Sequence, residues 1–115
     1  MKTLSALLTN PKTFELAEVE LDPLKKNEIL IDVLACGICS TELAAYDGSI
    51  IGTPGVSFRY KSFPAYLGHE VVGYVLEKGS EVERFDIGDC VTGLTYSGCG
   101  FSKHFIEKED VLVKV

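Results

Sequence analysis

The chain of 115 residues contains no tryptophan, one methionine and two histidines. No stretch approaches the ~18 apolar residues of a spanning helix. The N-terminal MKTLSALLTNPK carries an apolar run too short for a secretory signal. These absences predict a cytoplasmic protein without a membrane partner. Basic residues are in deficit: 11 Lys and Arg stand against 17 Asp and Glu, a formal charge of −6. That balance argues against nucleic acid and against an anionic membrane surface. Internal repeats, low-complexity tracts and linkers are also missing. No Gly-x-Gly-x-x-Gly follows a strand and opens a helix, so the phosphate-cradling turn of a dinucleotide site is not encoded here.

What is present suits one folded domain. Hydrophobic residues make up 46% of the chain and the mean hydropathy is +0.18, slightly apolar for a lone soluble domain. Short extended runs dominate: Thr3 to Leu8, Phe14 to Val19, Glu28 to Ala35, Glu70 to Lys78, Cys90 to Tyr96, Ser102 to Glu107 and Val111 to Val115. EILIDVLA is apolar almost without interruption, as in a strand buried on both faces. TELAAY at 41–46 is the one helical turn, with Ser40 or Thr41 as N-cap and Asp47-Gly48 as the stop. Many short strands with turns between them favour a mainly β barrel or sandwich. Residues 49–65 hold two Gly, two Pro and several aromatics without a period. Such a loop is either functional or a lid over the core.

Four cysteines without a secretory signal read as thiols or metal ligands rather than disulfides. CGICSTE at 36–42 contains a CxxC pair. It can be half a zinc knuckle, a redox dithiol, or one functional thiolate beside a packing residue. Further along, Leu67-Gly68-His69-Glu70 puts an imidazole at the mouth of a strand, where the glycine costs little sterically. Cys39 and His69 together offer a soft thiolate and an imidazole, a donor set that suits zinc. Spacing alone does not make them a pair.

These segments carry a resemblance. Asn27 to Ile31, Cys36 to Thr41, Gly68-His69-Glu70, Gly73, Gly79-Ser80 and Phe85 to Asp89, in that order, resemble the N-terminal catalytic domain of the zinc-dependent medium-chain alcohol dehydrogenase family. The resemblance implies a GroES-like, partly open β-barrel with one or two short helical turns, spanning residues 1–115. It implies zinc held by Cys39 and His69, with Glu70 as an exchangeable ligand or orienting carboxylate. Thr41 falls where the family has a hydroxyl on the path of the substrate proton. Cys36 is then a core residue, and the opening motif has one functional sulfur. The activity implied is NAD(P)-dependent interconversion of a small-molecule alcohol and its carbonyl.

Departures from the family pattern qualify this. Glu42 stands where Asp is usual, and Ala44 where a relay histidine often stands. The loop of four closely spaced structural cysteines is missing. A site built from Cys36, Cys39, Cys90 and Cys99 is disfavoured, since two of them fall in strands and no second CxxC exists. The sequence ends at Val115, where the family continues into a nucleotide-binding domain. The expectation is therefore a domain with zinc as cofactor, NAD(P) only in a longer parent, and no turnover alone. Its partner would be the missing domain or a homodimer mate. The rival expectations are a non-enzymatic zinc-binding or interaction module, and a zinc-free reductase.

Overall fold

The computed structural model describes residues 1–95 and 98–115, and the fold is mainly β. Strands β1 (Lys2–Asn10) and β2 (Thr13–Glu20) form a hairpin closed by Pro11-Lys12, with Lys12 at φ 61. The remaining strands are β3 (Glu28–Gly37), β4 (Glu70–Lys78), β5 (Cys90–Leu94), β6 (His104–Lys108) and β7 (Val113–Lys114). They make one antiparallel sheet in the order β6-β3-β4-β5-β7. The two sheets stay open rather than closing into a full barrel, as the resemblance implied. The expected end of β5 at Tyr96 lies outside the described residues.

Backbone and hydroxyl contacts join the hairpin to the main sheet. Ala6 N–H donates to Phe101 O at 2.8 Å and Lys103 N–H to Leu4 O at 2.9 Å. On the inner face of β1, Ser5 and Ser102 share a hydroxyl hydrogen bond at 2.6 Å, and Thr3 Oγ1 meets His104 Nδ1 at 3.0 Å. Pairing removes the desolvation penalty that these buried polar groups would otherwise carry.

Two apolar clusters form the core. One gathers Ile29, Ile31, Val71, Val75, Val91 and Phe105 beneath the five-stranded sheet, with Cys36 packed against it. That is the small packing role expected of Cys36. The other holds Leu8, Ala45, Tyr60, Ala65 and Leu67, and pins the long loop against β1. Full burial of a side chain such as Phe105 contributes about 1.5–3 kcal/mol.

Two expectations need correction. EILIDVLA is not buried on both faces throughout. The β3–β4 register slips between Val33 and Ala35, so Leu34 has no partner and stands 64% exposed. A bulge turns its residue out of the alternation. The helix α1 runs Ser40–Tyr46 with Cys39 as its N-cap, so neither Ser40 nor Thr41 caps it. Cys39 has extended backbone (φ −110, ψ 177) and makes no side-chain cap. Its sulfur is committed elsewhere. The stop falls as expected, with Asp47 as C-cap and Gly48 at φ +86.

Candidate metal centre

The two chain segments that carry the candidate ligands both cross between the clusters. Cys39 follows β3 and starts α1; His69 follows Leu67 and precedes β4. Gly68, directly before His69, turns the chain with φ +95. A Cβ at Gly68 would meet Phe101 Cδ1 at 2.8 Å and Cys36 Sγ at 2.9 Å, so glycine is needed both for its backbone angle and for the close approach. His69 lies just outside β4, which begins at Glu70.

One donor atom each from Cys39, His69 and Glu70 falls within 4.8 Å of the others. Cys39 Sγ lies 3.4 Å from His69 Nε2. Glu70 stands opposite Gly37 in register, and a Cβ on Gly37 would lie 2.9 Å from Glu70 Oε2. The glycine leaves the space into which that carboxylate folds.

Glu42, noted in the sequence as a departure, turns out to touch two of the three candidate ligands, Cys39 and His69. It is 2% exposed. Its Oε2 accepts the Cys39 thiol at 2.9 Å, and its Oε1 lies 3.0 Å from His69 Nδ1. The second contact has ion-pair distance but poor alignment, which leaves Oε1 without a hydrogen bond among the described residues. With Glu42 beside Nδ1, the other ring nitrogen faces the sulfur. Outer partners of this kind set the orientation of a ligating imidazole. The backbone of His69 is also tied, since its carbonyl accepts Thr95 N–H at 2.7 Å and Thr95 Oγ1 at 3.2 Å.

Thr41 lies in the first turn of α1, exposed, and among the described residues its hydroxyl has no partner. The other cysteines stay apart from the cluster. Cys99 donates toward Leu67 O at 3.4 Å, and Cys36 toward Gly37 O at 3.6 Å. Burial raises both thiols above their ordinary 9.0. A four-cysteine site is not assembled, because Cys39 is the one cysteine in the three-residue group found among the described residues. The aromatic loop divides. Tyr60 and Phe63 pack into the second core cluster. Phe58 and Tyr66 instead line a cavity of about 330 Å³ with Thr3, Cys99 and His104, which includes none of the three candidate ligands.

The donor chemistry fits zinc: one thiolate, one imidazole and one carboxylate, with a buried carboxylate behind them. The alcohol dehydrogenase GroES-like domain matches residues 25–115. The chain belongs to this family. Two relatives are similar over most of the chain. It is 36% identical over 90 residues to a probable cinnamyl alcohol dehydrogenase 1 of Aralia cordata, covering 78% of this chain and 21% of that protein. It is 34% identical over 103 residues to an alcohol dehydrogenase of Geobacillus stearothermophilus, covering 88% and 28%. Among solved structures, 2R,3R-butanediol dehydrogenase from Bacillus subtilis superposes with a TM-score of 0.80 at 26% identity, over 98% of this chain and 40% of that one. This GroES-like chain thus spans 21–28% of the length of these two relatives. No helix among the described residues is long and apolar enough to cross a membrane.

Proposed function

We propose that the chain is the catalytic-domain portion of a zinc-dependent, NAD(P)-linked alcohol dehydrogenase in the cytoplasm, acting on a small-molecule alcohol or its carbonyl. The observation that carries this reading is the convergence of the Cys39, His69 and Glu70 donor atoms within 4.8 Å in a chain of this family. Cys39 and His69 would hold the ion, with Glu70 as third donor or exchangeable neighbour. Zinc held there would supply Lewis-acid polarisation of the substrate oxygen.

The protein's own groups have separable tasks. Glu42 orients the His69 ring, while its hydrogen bond from the Cys39 thiol belongs to the metal-free state. Thr41 holds an exposed hydroxyl, free of any capping duty, two residues from the Cys39 sulfur, which suits it to accept the substrate proton and pass it to solvent. On this reading the NAD(P) site belongs to a further part of a longer protein or to a partner, and the 115-residue chain alone turns over no alcohol. A zinc-free reductase reading is disfavoured, because Cys39 and His69 face each other at 3.4 Å instead of turning into the core.

The test is zinc per chain by elemental analysis, on wild type and His69→Ala, after purification without added metal and again after zinc titration. Near-stoichiometric zinc, lost in the variant, supports the centre. A wild type that takes up no zinc under either condition sinks it. NAD(P)-dependent alcohol turnover by the 115-residue chain would overturn the inactivity.

A further inference from the structure

We propose that Arg59 is a positioning residue for this centre, acting through the backbone on both sides of His69. The inference rests on the zinc reading above.

Arg59 lies in the 3-10 turn Phe58–Tyr60 of the long loop and is 4% exposed. Its guanidinium forks. Nη2 donates to Thr95 O at 2.9 Å and Nη1 to Gly68 O at 3.4 Å. The Gly68 carbonyl belongs to the peptide that leads into His69. Thr95 is the residue whose N–H and hydroxyl both reach the His69 carbonyl. The four residues form a closed ring of contacts: Arg59 to Gly68, along the chain to His69, across to Thr95, and back to Arg59. The ring fixes the point where the chain bends to aim the imidazole. A lysine, as a point charge on a flexible stem, cannot bridge two carbonyls in this fixed geometry.

Charge points the same way. Among the described residues no carboxylate lies within ion-pair distance of Arg59. A buried cation without a counter-ion is costly unless something nearby offsets it. The Gly68 and Thr95 carbonyl dipoles offset part of that cost, and this ties the guanidinium to the backbone around His69. Because Arg59 is part of the 49–65 loop, that loop is coupled to the metal ligands through the same two carbonyls.

The experiment compares wild type, Arg59→Lys, Arg59→Met and a core control, Phe105→Leu, in the 115-residue chain. Zinc affinity is read by competition with a chromophoric chelator, and the ligand geometry by the thiolate-to-metal absorption of the cobalt-loaded protein. Loss of an outer partner typically weakens metal affinity roughly 10–100-fold. That loss is expected for Arg59→Met, with a shifted cobalt band and partial recovery in Arg59→Lys. Phe105→Leu should destabilise the fold yet leave affinity and band unchanged. Arg59→Met with wild-type affinity and band overturns the proposal. If wild type itself binds no zinc, the reading of the centre fails separately. Hydrogen exchange at the Thr95 amide in the metal-free chain then decides the role of Arg59. Faster exchange in Arg59→Met than in Phe105→Leu upholds the positioning, and equal exchange overturns it.

Discussion

Glu42 Oε2 accepts a hydrogen bond from the Cys39 thiol at 2.9 Å, one turn along the same helix, while Oε1 stands 3.0 Å from Nδ1 of His69. One buried carboxylate thereby holds two residues that are thirty apart in sequence. Removing its charge should have opposite effects on two properties. Glu42→Gln relieves the cost of a buried charge with a poorly satisfied oxygen, so the metal-free chain should gain roughly 1 kcal/mol. Zinc affinity should fall by roughly 10-fold or more, because the imidazole loses its orienting anion. Urea unfolding of the metal-free chain and chelator competition measure the two effects. Equal losses in both would show that Glu42 serves only the fold.

Gly68→Ala should be strongly damaging although it adds a single methyl group. The new Cβ would meet Phe101 and Cys36 inside 3 Å, on a backbone at φ +95. Left-handed strain and overpacking together cost about 2–5 kcal/mol. The variant should unfold at much lower urea than wild type, and an unchanged midpoint would disprove this account of the bend.

Stability should fall at both ends of the pH scale. On the acid side, hydrogen bonds from Ser49 hold Asp47 below its ordinary 3.8, and the Asp86 N–H, with Lys114 nearby, does the same for Asp89. Groups with lowered values stabilise the fold above 3.8 and lose that contribution as the pH drops through it. On the alkaline side, burial raises the Cys99 and Cys36 thiols above 9.0, and burial together with the Glu42 charge raises Tyr60 above 10.0. Their stabilisation is complete below those ordinary values and is lost as the pH climbs past them. Urea midpoints of the metal-free chain should be flat near neutrality and decline on both sides. Cys99→Ser should shrink the alkaline decline.

The residues next to the centre are apolar and open. Ile38, beside Cys39, is 68% exposed, Leu43, beside Glu42, is 62% exposed, and exposed Leu94 pairs with Glu70 across the strands. Large exposed side chains of this kind favour association. The 115-residue chain should self-associate at high concentration in sedimentation experiments, and Ile38→Ser with Leu43→Lys should reduce it. A monomer at all concentrations would count against this.

The order and chemistry of the sequence were enough for the strand-rich fold, the Asp47-Gly48 helix stop and the Cys39 and His69 donor types. Each of these rests on local periodicity, turn residues or donor chemistry, whereas Glu70 and the choice between the two cysteines came through the family resemblance. The sequence also placed a glycine directly before His69, and the fold set its angle at φ +95. It could not show that Leu34 falls on a bulge, since the slip depends on how β4 registers against β3. It flagged Glu42 only as an unusual acid. That carboxylate becomes an orienting group because α1 brings it against an imidazole from another segment. Arg59 carried no sequence signal beyond being a cation in an aromatic loop. Its importance arises from two carbonyls, nine and thirty-six residues away, that folding alone brings within reach of one guanidinium.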